Sequence, residues 1–277
     1  MERLIKDIIS KKELQNLEKE TVQQFLEEYF KEHPEIKDAL KQKEYNSRSK
    51  EYKEALKEVR KKLREIYGAF IQKDYLKKEK LLEKINKNNK EEIISRILQL
   101  HKSSKERLLF YKEIYERIFD VIGMQEKILD LGCGLNPLSC IWIPGNPKYV
   151  ASDISSQDLK FIQKFFKQLN LPGKTIRLDL IKEYEALSKI DANVTFLFKT
   201  LDTLESISRD ISKKIIRKIK SDWIIVSFPK KSLGRKKKIS KNARKWFLNF
   251  LKNENLTYEE FEVKNEYFII IDNRANV

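Results

Sequence analysis

The sequence is poor in the residues that build disulfide frameworks and metal sites. Among its 277 residues are two cysteines, Cys133 and Cys140, and two histidines, His33 and His101. Two cysteines are too few for a disulfide framework, and these four residues match none of the usual spacings of a zinc site. The sequence therefore predicts a reduced protein that has no metal partner.

Long apolar runs are also missing. The chain contains no stretch of 18 apolar residues, which is about the length needed to cross a bilayer. The first residues, MERLIKDIISKKELQ, are charged, whereas a secretion signal needs an apolar region. Hydrophobic residues nevertheless make up 40% of the chain, which suffices to form a core. We expect a cytoplasmic, monomeric protein of one or two domains with no membrane partner.

Positive charge is present in excess. The formal net charge of +16 favours a polyanionic partner, most often a nucleic acid, over the alternative of a generally lysine-rich proteome. Residues 1–100 carry 25 basic and 20 acidic side chains, whereas residues 101–277 carry 33 and 22. The excess is greatest from Lys230 to Lys245, where nine of 16 residues are basic and none is acidic.

The first hundred residues have a helical pattern. No glycine precedes Gly68, and apolar residues recur at spacings of three to five from Leu4 to Phe30 and from Leu56 to Ile66. Pro34 interrupts this pattern. We expect an all-α domain of about five helices over residues 1–100, with a boundary near residues 95–105.

Beyond residue 100, short β-type runs alternate with amphipathic stretches. The runs begin with KILDL and KYVASDI, and the last two, YEEFEV and EYFIIID, are separated by two residues. Alternation predicts a parallel α/β sheet, and the short connection predicts a closing antiparallel hairpin. This order is typical of the Rossmann-like, seven-stranded sheet of S-adenosylmethionine (SAM) methyltransferases, here over residues 101–277.

Two of only seven glycines follow the first predicted strand, in ILDLGCGLNPLSC. Glycines at such a turn let the backbone approach a ligand. A dinucleotide site needs a third glycine in G-x-G-x-x-G, and Pro137 stands at that place. SAM has no pyrophosphate, so this glycine turn remains compatible with a SAM site. A glycine turn that binds nothing is the alternative interpretation.

Acidic residues end the next two predicted strands. Asp153 stands 19 residues after Gly134, the distance at which an acid can accept the ribose hydroxyls of a nucleoside. Asp179 ends the third strand, where it can meet an adenine amino group. Together with the glycine turn, they favour a nucleoside site. Asp202, after the fourth strand, fits a helix cap equally well.

Two further segments carry candidate residues. In LHKSSKERLLFY, Ser103 or Ser104 fits a helix N-cap, while Arg107 fits bidentate pairing with the methionine carboxylate of SAM. The basic segment from Lys230 follows the fifth strand and would lie at the cofactor edge, where it can hold phosphates. Trp246 and Phe247 fit core anchors of the following helix better than stacking platforms for bases.

Three motifs together resemble the aminoglycoside-resistance 16S ribosomal RNA (guanine-N7) methyltransferases. These are HKSSKERL, DLGCGLNPLSC and SFPKKSLG. The similarity is close over residues 95–250. In the N-terminal region the resemblance is limited to its helical pattern. One departure is the run from Arg235 to Lys238, where the family usually has further small residues after S-L-G.

The resemblance implies a SAM-dependent enzyme that methylates guanine N7 in the decoding site of the 30S subunit. It implies cofactor contacts by His101, Lys102, Ser103, Arg107, Gly132, Gly134, Asp153, Asp179, Leu180 and Phe198. It also implies 16S rRNA contacts by the helical domain and by Lys230, Lys231, Ser232, Arg235, Lys236, Lys237 and Lys238. No general base is expected, because N7 carries a lone pair and no proton.

Two other functions stay open from the sequence. One is a SAM-dependent methyltransferase of another rRNA or tRNA nucleotide, for which proton removal could require Asp202 or a lysine. The other is a non-catalytic RNA-binding or ribosome-assembly protein that keeps the fold. Binding of SAM would separate the last from both enzymes, and mapping of the modified nucleotide would separate the enzymes from each other.

Overall fold

The computed structural model describes residues 1–230 and 244–276, which form two compact units. The first unit comprises Met1–Gln72 together with Ser155–Gln157, and the second comprises Lys73–Ile154 and the chain from Asp158 onward. The sequence pattern predicted a boundary near residues 95–105. In the structure the chain passes from one unit to the other earlier, between Gln72 and Lys73.

The first unit is built from helices. They are α1 (Glu2–Ile9), α2 (Lys19–Glu32), α3 (Pro34–Gln42) and α4 (Lys50–Ile66). Apolar residues at helical spacing face inward, and Leu4, Leu26 and Leu63 are buried. Pro34 occupies the first turn of α3, where its missing N–H has no partner to lose. The Ser49 hydroxyl accepts the Tyr52 amide over 3.2 Å and caps α4.

Two more helices, α5 (Lys78–Leu82) and α6 (Lys90–Leu98), belong to the second unit. The Lys78 ammonium lies 3.0 Å from the Asp158 carboxylate, and both side chains are buried. The side chain of Gln168 donates to the Leu82 carbonyl over 2.9 Å. A helical pattern shows that a helix has an apolar face but not which unit covers it, so the predicted boundary came too late in the chain.

The remaining elements alternate as the sequence predicts. They are α7 (Lys102–Arg107), α8 (Tyr111–Ile122), β1 (Lys127–Leu131), β2 (Lys148–Asp153), α9 (Ser156–Gln168), β3 (Gly173–Arg177), β4 (Val194–Phe198), α10 (Leu201–Ile207), α11 (Ile211–Lys218), β5 (Trp223–Pro229), α12 (Lys245–Asn253), β6 (Thr257–Val263) and β7 (Glu266–Asp272). The seven strands form one sheet in the order β3-β2-β1-β4-β5-β7-β6. Strands β1 to β5 are parallel, and β7 is antiparallel to β5 and β6.

This arrangement confirms the predicted α/β fold class and its closing hairpin. In the antiparallel register of β5 and β7, Pro229 lies opposite Glu266. The start of β7 is therefore at the same sheet edge as the carboxyl ends of the parallel strands. That edge is where open α/β sheets bind their ligands.

One hydrophobic cluster of the second unit packs against one face of the sheet. Leu129, Ile224 and Ile269 from the strands meet Phe247 of α12, and Trp246 is partly buried against them. The two aromatic residues are thus core anchors, as predicted. Among the described residues no helix combines the length and the apolar character needed to cross a membrane.

Candidate active site

The glycine turn after β1 is required by backbone geometry. Gly132 and Gly134 have φ angles of +63° and +50°, which favour glycine. A Cβ at Gly132 would lie 2.8 Å from the side chain of Thr200, and one at Gly134 would lie 2.8 Å from the His101 ring. Both positions therefore exclude larger residues by conformation and by space.

Asp153 at the end of β2 is bound to this turn. Its Oδ2 accepts the Gly134 amide over 2.9 Å, which holds the glycine turn and the acid together. The Asp153 carbonyl accepts the Leu178 amide over 3.1 Å, so the chain that follows β3 lies beside the end of β2. The structure thus brings together the two acids that the sequence placed at neighbouring strand ends.

Asp179 lies two residues beyond β3, which ends at Arg177 rather than at Asp179 as the sequence pattern suggested. Its Oδ1 accepts the Ile181 amide over 3.0 Å, which fixes the carboxyl group in the turn. Its Oδ2 is buried, accepts no hydrogen bond from a described residue and lies 3.9 Å from the Lys182 ammonium. A buried acceptor of this kind fits a ligand donor such as an amino group.

The segment after the glycines, LNPLSC, is tied to the fold by Asn136. The amide of Asn136 donates to Asp130 Oδ2 over 2.9 Å, and its side-chain oxygen accepts the Tyr111 hydroxyl over 3.0 Å. Tyr149 also donates to Asp130 Oδ2, over 2.6 Å. Burial raises the pKa of the Asp130 carboxyl to about 6, although these hydrogen bonds oppose the rise. Asn136 thus fastens the turn to α8, β1 and β2.

The predicted residues of α7 lie in three different settings. The His101 ring packs against Gly134, as the contact with a Cβ at that glycine shows, and burial lowers its pKa to about 3. Ser103 and Ser104 are buried inside the helix, so neither caps it, because the N-cap is His101. Lys102 is half-buried and contacts none of the other predicted cofactor residues by a hydrogen bond or ion pair within the described chain.

Arg107 is buried at the end of α7 and belongs to a charged cluster. Its Nη1 lies 3.0 Å from Glu266 Oε1, and Lys199 Nζ lies 3.0 Å from Glu266 Oε2. The Ser227 hydroxyl donates to Glu266 over 2.5 Å, and Glu106 lies 2.6 Å from Lys199. The Arg107 guanidinium also stacks over the ring of Phe198, 5.1 Å from its centroid.

The charges in this cluster stabilise each other. Burial opposes ionisation of Glu266, but Arg107 and Lys199 outweigh it, so the pKa of Glu266 lies below its usual value. Burial also opposes the charge on Arg107, and the Glu266 carboxylate outweighs it, so the pKa of Arg107 is raised. Arg107 and Glu266 are therefore both ionised at neutral pH.

The predicted RNA-binding segment is described only at its two ends. Lys230 follows β5, its ammonium pairs with Glu262, and its amide donates to the Asn265 carbonyl over 2.7 Å. The Arg244 guanidinium donates to the Pro229 carbonyl. Lys231, Ser232, Arg235, Lys236, Lys237 and Lys238 lie outside the described residues.

A glycine turn with acids at two successive strand ends is the arrangement expected where an open α/β sheet binds a nucleoside. The model of a known family, ribosomal RNA methyltransferase (FmrO), matches residues 27–271 of this chain. The chain belongs to the ribosomal RNA methyltransferase family. The family, fold class and enzyme class predicted from the sequence are thereby confirmed.

Known members and structures agree with this assignment. The 16S rRNA (guanine(1405)-N(7))-methyltransferase of Micromonospora echinospora is 30% identical over 75% of this chain and 78% of its own. The protein of the same name from Frankia casuarinae is 30% identical over 64% of this chain, which spans 63% of that protein. The 16S rRNA methyltransferase RmtF, solved with S-adenosyl-L-homocysteine, shares the fold with a TM-score of 0.78 at 22% identity, over 98% of this chain and 97% of that one.

Sequence reasoning missed several residues of the site. Asp130 and Asn136 lie inside ILDLGCGLNPLSC, but the sequence does not indicate the hydrogen bonds that they make. Lys199 directly follows Phe198, has a left-handed backbone with φ of +57°, and is buried. Glu266 opens β7, and its only signal was its place at the start of the closing hairpin.

Proposed function

We propose that this chain transfers a methyl group from SAM to N7 of a guanine in the decoding site of 16S rRNA, in the cytoplasm. The observation that carries the proposal is the glycine turn joined to Asp153 and followed by the buried acceptor of Asp179. The names of the curated relatives support the choice of base and position. A role in aminoglycoside resistance is part of the same proposal.

The residues present fit the cofactor. Asp153 would accept the ribose hydroxyls, and the buried Oδ2 of Asp179, which accepts no hydrogen bond from a described residue, would accept the adenine amino group. Leu180 and Phe198 are buried apolar neighbours suited to flank the adenosine. The positive charge of Arg107 suits the methionine carboxylate. Lys102 and Ser103 are carried over from the resemblance alone.

The proposed chemistry needs positioning rather than proton transfer. When bound, SAM supplies an activated methyl group on a sulfonium, and guanine N7 offers a lone pair. The protein then has to align the two groups and exclude water, which is worth up to about 7–11 kcal/mol of the barrier when the geometry is ideal. A guanine stacked in an rRNA helix must first be turned out, at a cost of a few kcal/mol.

The helical unit offers a surface for the RNA backbone. A groove of about 590 Å³ lies within Met1–Gln72. We name it the basic groove, after the cations that line it: Lys11, Lys53, Lys57, Arg60, Lys61 and Arg64. Only two acidic side chains, Glu13 and Glu65, also line it. Clustered cations of this kind bind phosphates without reading sequence.

The test is methylation of purified 30S subunits with labelled SAM, followed by strand cleavage specific for 7-methylguanine. The expected result is one labelled nucleotide in 16S rRNA, cleaved at a guanine of the decoding site. Label at another base or in tRNA would favour the other enzyme function. SAM binding without label on any RNA, or no SAM binding at all, would contradict the proposal.

A further inference from the structure

The Glu266 carboxylate contacts three side chains at the cofactor edge. One oxygen, Oε1, contacts Arg107 and Ser227, and the other, Oε2, contacts Lys199. These residues come from α7, the end of β4, β5 and β7, so the carboxylate joins four elements at one point. The side chain of Glu266 is only 5% exposed.

Two cations share the Glu266 carboxylate, so Arg107 is only partly neutralised. Lys199 also binds Glu266, and Lys199 in turn is paired with Glu106, whose side chain is 42% exposed. Within the described chain, Glu266 is the only carboxylate within ion-pair distance of Arg107. Because Glu266 is shared between Arg107 and Lys199, its carboxylate neutralises Arg107 only in part, which leaves the guanidinium able to attract a second anion.

The Arg107 guanidinium is held by two of its three nitrogens. Nη1 donates to Glu266 over 3.0 Å, and Nε donates to the Tyr111 hydroxyl over 3.5 Å. Nη2 makes no hydrogen bond to a described residue. An arginine held through Nη1 and Nε is already oriented when it receives an anion, so binding costs it less conformational entropy.

We propose that Glu266 is a positioning residue, which holds Arg107 in the orientation that receives the methionine carboxylate of the cofactor. The inference rests on the proposed cofactor contact of Arg107. Glu266 touches no reacting atom, and its proposed effect on the cofactor passes through Arg107. Its effect should therefore be confined to ligands that carry the carboxylate.

The experiment compares two ligands by calorimetry on the full-length protein. S-adenosyl-L-homocysteine carries the amino-acid carboxylate, whereas 5′-methylthioadenosine keeps the nucleoside and lacks that group. Glu266→Gln should weaken binding of the first roughly tenfold, the size of one lost charge-assisted hydrogen bond. Binding of 5′-methylthioadenosine should stay within about twofold of the wild type.

Two variants serve as controls. Glu259→Gln makes the same change on the exposed surface of β6 and should alter neither affinity. Glu266→Asp keeps the charge with a shorter side chain, so its affinity for S-adenosyl-L-homocysteine should lie between those of Glu266→Gln and the wild type. If Glu266→Gln does not fold, Glu266→Asp is the test variant. The melting temperature of each variant is measured in parallel.

Equal losses for both ligands would overturn the proposal, as would a lower binding stoichiometry with an unchanged dissociation constant, because either result indicates a purely structural role. A wild-type protein that binds S-adenosyl-L-homocysteine but methylates no guanine contradicts the proposed RNA reaction and leaves the role of Glu266 supported. The two failures are therefore distinguishable.

Discussion

The two units of the molecule use charge in opposite ways. Within the described chain, Met1–Gln72 buries no charged side chain, and its cations line an open groove. The unit with the sheet buries eight charged residues: Lys78, Arg107, Asp130, Asp158, Asp179, Lys199, Arg244 and Glu266. Exposed charges attract a polyanion over distance and are screened by salt, whereas buried charges must be paired and therefore fix geometry. The proposed function accordingly assigns RNA attraction to the first unit and cofactor binding to the second.

The largest effect is expected from the acid beside the glycine turn. Asp153→Ala should abolish measurable binding of S-adenosyl-L-homocysteine by calorimetry, because it removes the ribose acceptor and the hydrogen bond from the Gly134 amide. Asp120→Ala, an exposed acid on α8, is the matched control and should bind normally. Retention of near-normal affinity by Asp153→Ala would place the cofactor elsewhere.

The second effect concerns folding of the glycine turn. Asn136→Ala leaves Asp130 and Tyr111 without buried partners, so the free energy of unfolding should fall by about 2–4 kcal/mol. Asn46→Ala, at an exposed turn of the helical unit, should cost less than about 0.5 kcal/mol in the same urea titration. Similar costs for the two variants would contradict the contrast between the units.

The third effect is a pH dependence set by Asp130. Its pKa rises on folding from 3.8 to about 6, so it contributes stability that is complete below 3.8 and is lost as the pH rises through about 6. Between about pH 4 and pH 7, the wild type should therefore lose up to about 3 kcal/mol of unfolding free energy relative to Asp130→Asn.

Urea titrations at several pH values measure this difference. A difference between the wild type and Asp130→Asn that is constant with pH would show that Asp130 stays ionised with its ordinary pKa.

The smallest effect is expected at the basic groove. Lys53, Lys57 and Lys61 are exposed on one face of α4, and replacing all three by alanine should weaken 30S binding several-fold. The slope of log affinity against log salt should flatten by roughly 0.7–0.9 for each phosphate contact that is lost. Replacing Lys31, Lys37 and Lys41, which lie outside the groove, removes the same charge and should change 30S affinity less.

The fold could be predicted from local sequence patterns, whereas the domain boundary and part of the site depend on contacts between residues that are distant in the sequence. Strand β1 and strand β7 have the bounds of the runs KILDL and EYFIIID, because a buried strand is marked by its own residues. Gly134 and Asp153 were found because each stands in a recognisable motif at a strand end. Glu266 was not found, since its partner Arg107 is 159 residues away and a single glutamate gives no local signal.

The domain boundary was misplaced for a related reason. Helices α5 and α6 have the same charged, amphipathic pattern as the helices before them. Their place in the second unit depends on contacts such as the buried pair of Lys78 and Asp158, which no helical period encodes. Asp179 was predicted to end the third strand, but that strand ends two residues earlier, at Arg177.

The most direct test measures both ligands on the same three proteins. Affinities for S-adenosyl-L-homocysteine and for 30S subunits are determined for the wild type, for Asp153→Ala and for the triple alanine variant of Lys53, Lys57 and Lys61. We expect Asp153→Ala to lose only affinity for S-adenosyl-L-homocysteine and the triple variant to lose only affinity for 30S subunits. If either variant loses both affinities to the same extent, the proposed assignment of RNA binding to one unit and cofactor binding to the other is wrong.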